Sequence, residues 1–129
     1  SVLLIALPVG LITDGILHSN NTRDTLTDRR AGIKTMAMGL GHKASAILYG
    51  FEVIFPYVWI GVLSIMGLMP ITTIVIFLTL AVAIGCAKTM MHSLEGGSGV
   101  IADLDVRTAN LQLMFSALLT VAFIVAKFI

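Results

Sequence analysis

Four long apolar stretches leave this chain few folds to choose from. They run from the N-terminus to about Leu17, from about Ala44 to Met69, from about Ile71 to Met91 and from about Ala109 to Ile129. A helix needs about 20 apolar residues to cross the hydrocarbon of a bilayer, and each stretch is close to that length. Only 12% of the residues are charged, against about 25% in ordinary soluble domains, and the mean hydropathy is +1.01. The expected fold is all-α, a multi-pass transmembrane bundle of about four membrane helices.

Charge marks the connections and orients them. Five of the eight Lys and Arg residues (Arg23, Arg29, Arg30, Lys34 and Lys43) lie between the first two stretches, which by the positive-inside rule sets that connection on the cytoplasmic side. The link Gly67–Pro70 is uncharged, and Ser93–Thr108 carries Glu95, Asp103, Asp105 and Arg107. Parity returns this second charged loop to the same membrane face. A net charge of +1 gives no electrostatic case for nucleic acid, and aromatic and basic residues are not interleaved as stacking platforms require. The single cysteine, Cys86, excludes an intrachain disulfide framework and multi-cysteine metal motifs, and reads as a packed core thiol. A cleaved signal peptide does not fit the first stretch, because its basic residues follow the apolar run and Asp14 interrupts its end. The chain lacks an initiator methionine and reads as part of a longer protein.

Chemistry is concentrated in Asn20–Thr35, NNTRDTLTDRRAGIKT, which holds two amides, two carboxylates and four cationic side chains in sixteen residues. Asp24 and Asp28 are four apart, so in a helix they stack one turn above each other, with Asn20 a turn further back. Carboxylate and amide oxygens on one face suit a hard divalent cation, and Arg23, Arg29, Arg30 and Lys34 could neutralise an anionic substrate beside it. The combination points to a metal-bound phosphate or diphosphate.

ILHSNNTRDTLTDRRAGIKTMAMGLG resembles the second aspartate-rich region of the UbiA superfamily of intramembrane prenyltransferases, above all its menaquinone and vitamin K branch. The pattern NNxRDxxxDxxAG followed by Thr is carried by Asn20, Asn21, Arg23, Asp24, Asp28, Ala31, Gly32 and Thr35, and RTANLQL (Arg107–Leu113) is similar, more weakly, to the start of the family's last helix. The resemblance implies that residues 1–129 are the C-terminal part of a single UbiA-like domain. It also implies a function: transfer of a polyprenyl group from its diphosphate to an aromatic, naphthoate- or quinone-like acceptor. Mg2+ would be held by Asp24, Asp28 and Asn20, and the diphosphate by Asn20, Asn21, Arg23 and Lys34.

Family members carry a first aspartate-rich motif on an earlier helix pair. This chain has no counterpart: Asp103 and Asp105, two apart, would point about 200° apart on a helix. The implied metal site is therefore half a site, with the N-terminal half as the expected partner. A noncatalytic membrane binding or scaffold subunit is the competing reading.

Beyond the motif, Asp14, His18 and Asn21 follow at i, i+4 and i+7, a polar stripe leading into it. Asp14 is the further catalytic candidate, to orient the acceptor or take its proton, with His18 able to work near neutral pH. Glu52 lies deep in the second stretch and calls for a cavity or a partner, and Pro56 removes the usual bond to its carbonyl. The GGSG at Gly96–Gly99 reads as a flexible loop, since no strand precedes it as in a phosphate loop. His42 and His92 read as interfacial, Lys88 and Lys127 as snorkelling, and Tyr49, Tyr57 and Trp59 as packing or lipid-facing residues.

Overall fold

A computed structural model describes residues 2–129; Ser1, at the head of the first apolar stretch, lies outside them. The described chain is helical, with no strand. Four segments are long and apolar enough to cross a membrane: Val2–Arg23, His42–Ile65, Ile71–Gly96 and Ser98–Val125. The multi-pass all-α expectation holds, and the differences lie at the ends.

Helix α1, Val2–Arg23, runs six residues past Leu17 and carries His18, Asn20, Asn21 and Arg23 as helical residues. Its hydrogen bonding continues through Asp24, whose amide donates to the Asn20 carbonyl at 2.9 Å. Helix α2, Thr25–Arg30, follows at once. A turn then leads to the short α3, Met36–Leu40, and α4, His42–Ile65, continues through Pro56. The third span begins as a 3-10 helix, Ile71–Thr79, and becomes α5, Leu80–Gly96. Pro70 leads into it at φ −58°. A 3-10 turn at Ser98–Ile101 joins α5 to α6, Leu104–Val125.

Helix α1 packs on α4 and α6, α4 packs on α5, and α6 closes against the 3-10 half of the third span. Helix α4 supplies much of the core: Tyr49, Val53, Tyr57 and Ile60, at spacings of three and four, are buried against Ile12, Cys86, Leu111 and Phe115. Tyr57 meets the edge of Phe115 with ring centroids 5.3 Å apart, a favoured aromatic geometry. Its hydroxyl pairs with Thr79 and that of Tyr49 with Thr108, both at 2.7 Å, so neither tyrosine leaves a polar atom unpaired in the apolar interior. Trp59 donates its indole N–H to the Leu4 carbonyl at 3.0 Å. Of the packing and lipid-facing alternatives for these aromatics, the two tyrosines pack.

Gly15 faces α4 and α6 where α1 packs on them. A Cβ there would sit 3.4 Å from Val53 and 3.6 Å from both Thr108 and Tyr49, which is ordinary contact. Gly15→Ala is therefore expected to be tolerated, the more so because Ala is the better helix former by about 1 kcal/mol. Gly15→Leu should overpack the crossing and destabilise by about 1–3 kcal/mol. Thermal unfolding of the two variants of the full-length protein in one detergent checks the pair, and equal losses would refute the contact argument.

Candidate functional site

The motif occupies the end of α1, all of α2 and the turn after it. The Asp28 amide donates to the Asp24 carbonyl at 2.8 Å, so one backbone turn separates the two carboxylates, with Asp24 at the junction of α1 and α2 (φ −92°, ψ 9°) rather than inside a single helix. The later motif residues close this unit. Gly32 adopts φ +74°, a left-handed conformation natural to glycine at a helix end, and the amides of Gly32 and Ile33 donate to the carbonyls of Arg29 and Asp28. Thr35 caps α3, its hydroxyl accepting from the Met38 amide at 3.4 Å. The AG and Thr of the pattern thus shape the backbone around the carboxylates.

Arg23 is the hub. Its guanidinium donates to both oxygens of Asp24 at 2.8 and 3.0 Å, to the side-chain oxygen of Asn20 and to the Ala102 carbonyl at 3.0 Å. It also pairs with Asp105 at 3.0 Å. One side chain thereby fastens the motif to the second charged loop, and the two loops share one end of the bundle as parity predicted. The sequence considered Asp105 only as a metal ligand; its role here is to anchor Arg23. No local pattern announced a pair 82 residues apart.

Arg23 holds the Asp24 carboxyl below the usual carboxylate range, chiefly through its hydrogen bonds. A carboxyl depressed on folding contributes stability that is fully present above its ordinary value, near 3.8, and is lost as pH falls through the lower folded value. The lock should survive mild acid and dissolve only below about pH 4. Asp24 is 37% exposed, so the effect on stability is small. Thermal unfolding followed down to that pH should show an acid-side loss that Asp24→Asn reduces.

Asp28 makes no side-chain hydrogen bond or ion pair among the described residues, and neither do Asn21, Arg29, Arg30 and Lys34. These are the groups left to meet a ligand. Of these, Arg29 alone lines a cavity of about 330 Å³, together with Arg23 and Leu26 on the motif, Met38 and His42 across from it, and the Gly97–Ser98 turn. Asp24 and Asp28 do not line it. The motif therefore offers a cationic face to the cavity and its carboxylates elsewhere. The GGSG segment is built into this site: Gly97 turns at φ +80° and Ser98 opens a 3-10 turn.

Among the described residues no group of three or more His, Cys, Asp and Glu side chains converges as a metal site. Asp24, Asp28 and Asn20 nonetheless form a set of hard oxygens of the kind magnesium shares with phosphates and water. Of the three, Asp28 alone is unengaged: Arg23 takes both oxygens of Asp24 and the side-chain oxygen of Asn20, which would have to be shared with a metal to complete even a half-site.

A second polar cluster lies one to two turns deeper. His18 Nδ1 is 3.0 Å from each oxygen of Glu52, and both residues are 2% exposed. Glu52 has its partner, and that partner is the polar stripe of α1. His18 Nε2 is buried without any partner among the described residues. Asp14, a turn earlier, is exposed. His42, expected only to flank the interface, also bonds Ser93 at 2.7 Å and ties the start of α4 to the end of α5. Arg107 donates to the Thr89 hydroxyl at 3.1 Å, and Thr108 and Leu111 are buried, which accounts for three positions of RTANLQL as packing residues.

Fold and site together define a multi-pass membrane helix bundle with a cluster of charged and amide side chains at one end. The UbiA prenyltransferase family profile matches residues 1–102, and the chain belongs to that family. UbiA prenyltransferase domain-containing protein 1 of Xenopus tropicalis is 48% identical over 62 residues, 48% of this chain and 18% of that protein. The Drosophila melanogaster homologue is 54% identical over 52 residues, 40% of this chain and 14% of its own length. The Mus musculus protein is 43% identical over 76 residues, 56% and 23% respectively. The matched stretch is thus under a quarter of each relative. No solved structure matches the chain.

Proposed function

We infer that this chain is the C-terminal part of a magnesium-dependent intramembrane prenyltransferase that joins a polyprenyl group to a naphthoate- or quinone-like acceptor, as in menaquinone and vitamin K-type biosynthesis. The observation that carries the reading is the Asp24–Asp28 pair at the end of a membrane span, joined by a single i, i+4 backbone turn within the family pattern. Asp24, Asp28 and Asn20 hold the metal, and Asn21 and Lys34 bind diphosphate oxygens. Arg23 meets the same diphosphate only by sharing its donors with Asp24 and Asp105. Magnesium bound there supplies charge stabilisation for the departing pyrophosphate oxygens.

Asp24 and His18 are six residues apart, about 9 Å along the helix axis. The ring of the acceptor would lie between the diphosphate and the His18–Glu52 pair. Glu52 fixes His18 by its Nδ1; Nε2, buried and without a partner among the described residues, is the ring nitrogen that would accept a hydrogen bond from the acceptor. Asp14, one turn further from the diphosphate, orients the acceptor or takes its proton. The motif faces the cytoplasm, following the basic residues of its connection, and the N-terminal half contributes the remaining carboxylates.

Purified full-length protein supplied with a prenyl diphosphate, magnesium and a naphthoate or quinone acceptor tests the reading. Product formation supports it, and no product with intact, folded protein sinks it. Co-expression of residues 1–129 with an N-terminal half adds a second test. Restored transfer supports a two-part active site, whereas binding without transfer favours a scaffold subunit.

A further inference from the structure

Away from the motif, α4 and α5 leave an open apolar groove of about 410 Å³ on the outer surface of the bundle. Ala46 and Gly50 on α4 and Ala87 on α5 line it with small side chains, and Ile54 closes its deep end. It uses a different face of α4 from Tyr49, Glu52 and Val53, which meet α1. From Ala46 to Ile54 it runs about 12 Å along the helix. A Cβ built on Gly50 would meet nothing within 4 Å, so the furrow is open space over that residue.

The mouth of the groove is cationic. Lys88 and His92, four residues apart on α5, line it, are exposed, and make no ion pair among the described residues. The bond from His42 to Ser93 sets the mouth at the motif end of the bundle. Lys88 sits about one turn deeper than His92, where its methylene stem lies along apolar surface while the ammonium reaches up to the headgroup level. Lys43 precedes Ile47, another lining residue, by one helical turn, and so stands above the same mouth. Glu95, the nearest acid along α5, does not line the groove.

We propose that this groove is a binding site for an anionic phospholipid of the surrounding bilayer, its phosphate held by Lys88 and His92 and one acyl chain laid over Gly50. A narrow apolar furrow capped by cations matches an amphiphile with an anionic head, and basic pockets between membrane helices hold such headgroups. His92 can donate a ring N–H to phosphate in either protonation state. A zwitterionic lipid fills the furrow equally but leaves Lys88 without a net countercharge.

Full-length protein taken from nanodiscs of equimolar phosphatidylglycerol and phosphatidylcholine, with retained lipid read by native mass spectrometry, tests the site. Phosphatidylglycerol should be retained in preference. Lys88→Gln should weaken that retention roughly fivefold, the size of one basic side chain's attraction to anionic lipid. Gly50→Leu fills the furrow from an unstrained helical position and should remove both lipids. Equal retention of the two lipids by the wild type, or no response to either variant, would overturn the proposal. Displacement of the retained lipid by a prenyl diphosphate would overturn it too, making the groove a substrate site. So would a Gly50→Leu variant that loses thermal stability while keeping its lipid, since the furrow would then be covered by protein.

Discussion

His18→Leu is expected to destabilise the full-length protein by about 3–5 kcal/mol, because it strips the partner from a buried carboxylate. Glu52 is 2% exposed and both its oxygens face His18 Nδ1 at 3.0 Å, with the Asp14 carboxyl as its other titratable neighbour. Replacing both residues by leucine removes the stranded charge together with its partner. Apolar replacement of a buried pair is often neutral or stabilising by about 1–4 kcal/mol, so the double variant should recover most of the loss. Unfolding in detergent of the wild type, both single variants and the double variant reads this cycle. Additive losses would show that the two side chains act independently. If the double variant is as stable as the wild type yet inactive, the pair is kept for function.

Asp24→Asn should lower prenyl transfer by about 10²–10³-fold if Asp24 is a metal ligand at the reacting diphosphate, the usual cost of losing one charge-stabilising group. The same substitution also loosens the Arg23 hub, so a comparison is needed. Asp105→Asn removes the other carboxylate on Arg23 and leaves Asp24 and Asp28 in place. It should cost much less turnover and shift no magnesium requirement. Turnover measured across a magnesium titration for both variants of the full-length protein separates the cases. Losses of equal size, with unchanged magnesium dependence, would mean that Asp24 acts only by fastening the motif to α6.

Much of the fold was legible because the solvent imposes it. Apolar runs of about 20 residues admit few structures in a bilayer, and four were visible. Their ends were less legible. Leu17 looked like the end of the first span because hydropathy falls there, yet the helix continues to Arg23, its polar residues finding partners in α4 and α6. The onset of the third span as a 3-10 helix was not read either, since a run of Ile, Thr and Val is equally apolar in both helix types.

The motif shows the same division. Its i, i+4 carboxylates, its glycine turn and its capping threonine are local, so the sequence by itself determined the one-turn spacing of Asp24 and Asp28 and the family to which the chain belongs. Only the tertiary structure decided what those residues touch. Arg23 is committed to Asp105, 82 residues away, and His18 to Glu52, 34 away. Hydropathy and helical periodicity are properties of neighbours along the chain. The partner of a charge in a low-dielectric interior is chosen by which helix faces meet, and here those meetings bring α1 against α4 and α6.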